Sequence, residues 1–133
     1  MLIMHRLDQV KTAIVDSWNE ETAYDGIISP TNRARNQCVP TALVVQSFFG
    51  GDLQKLVTEF NRQPESHYRN ILPDGTTVDL TRDQYPINQR LIISEVNLHG
   101  YDTVRDKMLA EKDTKRRYEI LLKRVNAILH NVS

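Results

Sequence analysis

The sequence predicts an α+β fold in which a central helix packs on a small antiparallel sheet and is flanked by further helices. Three observations support this prediction. Residues 38–49 are apolar on nearly every side, residues 67–81 read as a hairpin, and amphipathic segments lie towards both ends of the chain. A helix that is apolar all round is buried, and an alternating hairpin belongs to an antiparallel sheet. The 133 residues are expected to form one domain, residues 1–133.

The first helix is predicted over residues 4–20. Four apolar side chains recur there at the spacing of one helix face, namely Leu7, Val10, Ile14 and Trp18. Residues 21–37 contain few periodic apolar positions and are expected to form a long irregular loop. Such loops in compact domains are often functional.

The central helix is predicted to begin near Cys38 and to end at Gly50-Gly51. Pro40 is tolerated in a first helical turn, where backbone N–H groups lack partners within the helix. Glycine commonly ends a helix because it adopts the left-handed conformation without strain. Residues 52–61 fit either a helix or a strand.

The hairpin at residues 67–81 is predicted to have strands at 67–72 and 76–81 and a three-residue Pro-Asp-Gly loop. Leu72 then faces Thr76, and Val78 lies on an apolar face that can pack on the core. A one-residue slip would exchange the two faces, so burial favours this register. In this register His67 and Asp79 share the opposite face as diagonal neighbours, within reach of a hydrogen bond.

The remaining elements follow from similar patterns. Residues 90–96 are predicted to form a third strand. Residues 102–111 and 113–131 are predicted to form two helices, with Asp113 capping the second.

Composition excludes several classes of function. Lys plus Arg and Asp plus Glu each number 17, so the net charge is zero and no nucleic-acid or membrane partner is expected. One cysteine excludes an internal disulfide, and no histidine stands at metal-ligand spacing from it. We therefore expect a cytoplasmic protein with no cofactor and no metal. No apolar run approaches the roughly 20 residues of a membrane helix.

Three residues form a candidate nucleophilic site. A thiol is reactive as the thiolate, which the N-terminus of a helix favours, and Cys38 is expected at such a terminus. A nucleophile of this kind needs a base and a third group that orients the base, and His67 followed by Asp79 offers that pair. Taken singly, each residue has a simpler interpretation: buried cysteine, surface histidine and solvated aspartate. The order Cys, His, Asp is more specific than any one of them.

Two blocks of the sequence resemble the bacterial YunG-like family. Gln37-Cys38-Val39-Pro40-Thr41 with Phe49-Gly50-Gly51-Asp52 resembles its nucleophile segment, and His67-Tyr68 with Val78-Asp79-Leu80-Thr81-Arg82-Asp83-Gln84-Tyr85 resembles its second block. The resemblance implies a papain-like core, a Cys38–His67–Asp79 catalytic triad and a protein or peptide substrate. Papain-like enzymes also place an oxyanion-binding amide about six residues before the nucleophile. That position indicates Asn32, with Gln37 as the alternative; hydrogen bonding within the loop is the simpler role for either side chain.

The reaction that the resemblance implies is hydrolysis or acyl transfer at an amide, thioester or ester bond, with proteolysis or deamidation favoured. Two positions depart from the family pattern: Asn36 replaces a glycine and Arg69 replaces a tryptophan. Both adjoin the candidate site. They are the basis of a second hypothesis, in which the chain is a catalytically inactive papain-like module that binds or regulates.

Overall fold

The computed structural model describes residues 6–131 and has an α+β fold, as the sequence predicts. Within these residues the α-helices are α1 (Leu7–Ser17), α2 (Cys38–Phe49), α3 (Val104–Leu109) and α4 (Lys112–His130). The strands are β1 (Asp52–Phe60), β2 (Gln63–Ile71), β3 (Thr77–Val78) and β4 (Ile92–Ser94). Short 3-10 helices span Tyr24–Gly26 and Arg82–Gln84. Residues 4 and 5 of the predicted first helix lie outside the described residues.

The four strands form one antiparallel sheet in the order β3-β2-β1-β4. β1 and β2 pair over their whole length, from Asp52 opposite Ile71 to Phe60 opposite Gln63. Residues 52–61, which fit a helix or a strand by pattern, therefore form a strand. β4 pairs with the other side of β1, so the strand predicted at 90–96 is present with shorter bounds.

The register of the β2–β3 hairpin is the one predicted. Asn70 pairs with Val78 and Ile71 with Thr77, and the Leu72 N–H donates to the Thr76 carbonyl at 2.8 Å. Val78 is buried in the core, and Leu72 and Leu80 pack against the same cluster. The strand β2 starts earlier than predicted because pairing with β1, and not the hairpin alone, fixes its length.

The core lies where α1, α2 and α4 meet beside the sheet. α2 contacts both α4 and the β1–β2 pair, which explains why it is apolar on all sides. The fully buried apolar side chains of this cluster include Val10, Ile14, Val44, Val45, Leu121 and Val125. The buried helix therefore holds Cys38 at the point where the helical layer meets the sheet.

The turn from α2 into β1 brings two backbone segments into close contact. Gly50 and Gly51 have φ values of 76° and 80°, and the Gly50 N–H donates to the Gln46 carbonyl and ends α2. A Cβ atom on Gly51 would lie 2.1 Å from the Ile71 carbonyl oxygen. This glycine thus allows the chain to pass from α2 into β1 in close contact with the end of β2.

The predicted cap of the last helix is wrong. Glu111, and not Asp113, is the N-cap of α4, and its carboxylate accepts hydrogen bonds from the N–H groups of Asp113 and Thr114. Asp113 lies inside the first turn and binds the arginines that follow it, Arg116 and Arg117. Both residues are acidic and either could satisfy the free N–H groups, so the pattern did not distinguish them.

Among residues 6–131, no helix has both the length and the apolar character needed to cross a bilayer.

Candidate active site around Cys38

Cys38 is the first residue of α2 and is partly exposed. Within residues 6–131 the Gln37 side chain makes no hydrogen bond that caps this helix end, and Pro40 contributes no N–H group. The thiol thus belongs to the first turn of the helix, where the dipole and the free N–H groups favour negative charge. A cavity of about 420 Å³ opens beside Cys38, within the range of small-molecule sites.

His67 and Asp79 form a hydrogen-bonded pair, as the hairpin register predicts. The Nε2 atom of His67 lies 2.7 Å from Oδ2 of Asp79. The imidazole is fully buried, and the Asp79 side chain is 11 % exposed. The second carboxylate oxygen, Oδ1, is buried without a hydrogen-bond partner in residues 6–131. A carboxylate so poorly solvated attracts positive charge on the imidazole strongly.

Gln84 occupies the other nitrogen of the ring. Its Nε2 atom lies 3.0 Å from Nδ1 of His67, and its Oε1 atom accepts a hydrogen bond from Arg35 at 3.3 Å. Arg35 is a donor only, so it fixes which end of the amide faces His67. When His67 is neutral, Nδ1 accepts a hydrogen bond from the Gln84 amide and Nε2 donates to Asp79. Protonation of Nδ1 requires the amide to turn its oxygen towards the ring.

The surroundings of His67 raise its pKa from the ordinary value of 6.5 to about 9. Burial is the largest single influence and acts to lower the pKa. The hydrogen bonds and charges of Asp79 and Cys38 together outweigh it. The Cys38 sulfur is therefore an interaction partner of the imidazole, and the raised pKa favours a charged imidazole beside the Asp79 carboxylate.

A second polar cluster holds Gln84 in place. Arg35 binds both carboxylate oxygens of Glu65, at 2.5 and 2.6 Å, and the Tyr85 hydroxyl donates to Glu65 at 2.5 Å. The guanidinium of Arg35 also lies 4.5 Å from the centre of the Phe60 ring. Burial acts to raise the pKa of Glu65, but the hydrogen bonds from Arg35 and Tyr85 outweigh it and the pKa is lowered. Glu65 is thus an ionised and fully paired anchor.

Neither oxyanion candidate directs its amide donors at Cys38. The Asn32 side-chain amide donates to the Asp83 carbonyl at 2.8 Å, and its Oδ1 accepts from the Ala34 N–H. Gln37 is 1 % exposed, donates to the Asn19 carbonyl and lines a separate cavity beside Trp18. Asn32 accepts one hydrogen bond within its loop, as the simpler interpretation expects, but both amides donate to carbonyls outside the loop, those of Asp83 and Asn19.

Sequence reasoning did not identify the supporting residues Gln84, Arg35, Glu65 and Tyr85. Gln84 and Tyr85 fold back over His67 through the 3-10 helix Arg82–Gln84, and the Tyr85 ring meets the imidazole edge-on at 5.4 Å. Because this segment has no periodicity, its tertiary position could not be predicted. The one indication in the sequence was that Gln84-Tyr85 closely follows Asp79, within the second segment that resembles the YunG-like family.

The candidate site thus combines Cys38 at the start of α2, His67 in β2 and Asp79 directly after β3. His67 interacts with both of the other side chains. Among the described residues, no cluster of three or more His, Cys, Asp or Glu side chains could hold a metal ion. The fold and site define a class: a small α+β protein with a thiol, an imidazole and a carboxylate grouped at a helix N-terminus.

The family model described as "YunG protein" matches residues 6–130, and the chain belongs to this family. No curated protein matches the chain. No solved structure matches it.

The first prediction concerns the titration of His67. Asp79→Asn is expected to lower the pKa of His67 from about 9 to near or below its ordinary value. Burial lowers this pKa, and the substitution removes the carboxylate charge that opposes the effect of burial. Proton NMR of the imidazole measures this directly.

Since the folded-state pKa is raised, the contribution of His67 to stability is complete below pH 6.5 and is lost as the pH rises through about 9.

Asp74→Asn is the matched control, since Asp74 lies in the exposed hairpin turn and binds the Thr76 N–H. This variant should leave the titration of His67 unchanged. A His67 that still titrates at about 9 in Asp79→Asn would refute the role given to the carboxylate.

Proposed function

We propose that the protein is a papain-like cysteine hydrolase or acyl transferase that acts on an amide, thioester or ester bond. Proteolysis or deamidation is the favoured reaction, and a protein or peptide is the favoured substrate. The observation that carries the proposal is the position of His67, whose buried imidazole interacts with both the Asp79 carboxylate and the Cys38 sulfur. We also propose a cytoplasmic location, because a single cysteine leaves no disulfide framework of the kind that small secreted domains use.

Each of the three groups has one step in the proposed reaction. The Cys38 sulfur attacks the substrate carbonyl carbon while its proton resides on Nδ1 of His67. Asp79 keeps Nε2 protonated and stabilises the imidazolium. The carbon–nitrogen, carbon–sulfur or carbon–oxygen bond then breaks as His67 returns the proton to the leaving group. Attack of water or of an amine on the resulting thioester releases the product and regenerates the thiol.

The backbone N–H of Cys38 is the proposed donor to the oxyanion. It belongs to the first turn of α2, where N–H groups have no carbonyl partner in the helix. A preorganised donor of this type stabilises the tetrahedral intermediate by a few kcal/mol (about 3) in related acyl transfers. Gln84 lines the same cavity as Cys38, whereas Asn32 and Gln37 do not.

One observation favours the alternative of an inactive binding module. The Gln84 amide donates to Nδ1 of His67, which is the nitrogen that must take the thiol proton. For catalysis the amide has to rotate and present its oxygen to Nδ1–H, or leave the ring. Of the two departures from the family pattern, Asn36 lines the cavity, whereas Arg69 donates a hydrogen bond to Gln54 and is not part of the cavity wall.

Alkylation of Cys38 by iodoacetamide distinguishes the two functions. An enzyme should be alkylated well below pH 8.5, the region where a free thiol ionises. A profile like that of a free thiol, or an unreactive Cys38, would exclude the enzyme and favour the module.

Mass spectrometry then identifies the reaction. A cell lysate is treated with the protein or with Cys38→Ala, and the peptides are compared. New termini indicate proteolysis, a shift of about one dalton indicates deamidation, and new isopeptides indicate transfer. None of these should appear with Cys38→Ala.

A further inference from the structure

The cavity beside Cys38 has two charged residues in its wall, Glu65 and Arg117. Both oxygens of Glu65 are already engaged by Arg35, and one also accepts from Tyr85. Its charge is therefore neutralised by Arg35. Arg117 is the residue whose charge acts on the contents of the cavity.

Arg117 is a buried cation that is only partly satisfied. It is 3 % exposed and lies on α4, with Nε bound to Asp113 at 3.0 Å and Nη2 at 3.5 Å from the Thr114 hydroxyl. Within residues 6–131 its Nη1 atom makes no hydrogen bond, and the side chain lines the cavity. A guanidinium has five N–H donors, so donors remain for a ligand.

The carboxylate that binds Arg117 is also shared. Asp113 binds Arg117 through Oδ2 and Arg116 through Oδ1, at 3.0 and 2.6 Å. One carboxylate thus serves two guanidinium groups, and the other nearby carboxylate, that of Glu111, reaches Arg117 only through the Thr114 hydroxyl. The Tyr24 ring lies 5.7 Å from the Arg117 guanidinium carbon and restricts its movement. A buried cation with spare donors, whose one directly bound carboxylate is shared, is stabilised by an anion in the cavity.

We propose that Arg117 binds a carboxylate of the substrate next to the carbonyl that Cys38 attacks. This inference rests on the proposed function and assigns the substrate class, an acidic peptide or amide. A planar guanidinium matches a carboxylate through two parallel hydrogen bonds. The rest of the wall includes the apolar surfaces of Val39, Pro64 and Tyr68, which suit the carbon chain of an amino acid and offer no further cation for a phosphate.

Two alkylating reagents of nearly equal size test the inference. Iodoacetate is an anion and iodoacetamide is neutral, and both react with the same thiolate, so the ratio of their rates does not depend on the degree of ionisation of Cys38. Arg117→Gln is expected to lower the iodoacetate-to-iodoacetamide ratio about tenfold, the size of one screened charge interaction.

Arg116→Gln is the matched control. Arg116 also binds Asp113 and lies on α4, but its side chain is 54 % exposed and it is not part of the cavity wall. Its variant should change the ratio less than twofold, since exposed charges are screened. An equal ratio in wild type and Arg117→Gln, or an equal fall in both variants, overturns the inference. The pH profile of iodoacetamide alone reports separately on the proposed function.

A second measurement uses the wild-type protein and does not require Arg117→Gln to fold. Three ligands are tested for protection of Cys38 against iodoacetamide: N-acetylglutamate α-amide, N-acetylglutamine and neutral N-acetylglutamine amide. Protection by the first alone identifies an acidic side chain, and protection by the second alone identifies a terminal carboxylate. The inference is overturned if neither anion protects better than the neutral amide.

Discussion

His67→Gln is expected to lower the rate at which iodoacetamide alkylates Cys38 at pH 6.5 by about two orders of magnitude, because a free thiol that ionises near 8.5 is only about 1 % thiolate there. The physical reason is the charged imidazole. With its pKa raised to about 9, His67 is protonated at this pH, and in the proposed function its charge stabilises the thiolate that reacts. Glutamine retains a polar side chain but cannot carry the charge. Alkylation followed by mass spectrometry gives the rate for the one cysteine of the chain.

His130→Gln is the control for this substitution, since His130 lies exposed at the end of α4. It should leave both the rate and its pH dependence unchanged. If His67→Gln and wild type share one pH profile, the imidazole does not activate the thiol and the proposed function loses its base.

Gly51→Ala is expected to lower the free energy of unfolding by at least about 4 kcal/mol, the range that marks a severe packing conflict. The added Cβ would lie 2.1 Å from the Ile71 carbonyl oxygen and 2.9 Å from the Leu72 Cα atom. Both are backbone atoms of the neighbouring chain segment and cannot move aside as a flexible side chain can. The φ of 80° adds strain of about 1–2 kcal/mol for any other residue. Urea unfolding monitored by circular dichroism measures the loss.

Gly75→Ala separates conformational strain from collision. Gly75 has a φ of 88°, but a Cβ there would meet no atom within 4 Å. This variant should lose only the strain of about 1–2 kcal/mol. Equal losses at Gly51 and Gly75 would show that the contact with Ile71 is not the cause.

The hairpin was predictable because several local requirements coincide in it. Pro73 and Gly75 suit a three-residue loop, and only the corresponding register places Val78 with Leu72 and Leu80 on an apolar face. The His67–Asp79 hydrogen bond follows from this register without knowledge of the rest of the fold. Cys38 at a helix start was predictable for a similar reason, since Pro40 and the terminal glycines mark both ends of an apolar segment.

The surroundings of the imidazole were not predictable from the sequence. Arg35 lies in an irregular loop and Gln84 in a three-residue helix, so neither has a periodic pattern that fixes its direction. Their positions depend on contacts across the fold, such as the paired charges of Arg35 and Glu65. The prediction for Asn32 relied on spacing along the chain, and the loop instead turns its amide towards Asp83.

The order of the elements along the chain has a consequence for the newly synthesised protein. Cys38, His67 and Asp79 leave the ribosome before α4, yet the core that supports α2 contains Leu121 and Val125 of that helix. A domain of this size folds as a unit. The nascent polypeptide therefore has no assembled thiol–imidazole pair until α4 has been made, and the site proposed here cannot react with peptides, or with its own chain, before that point.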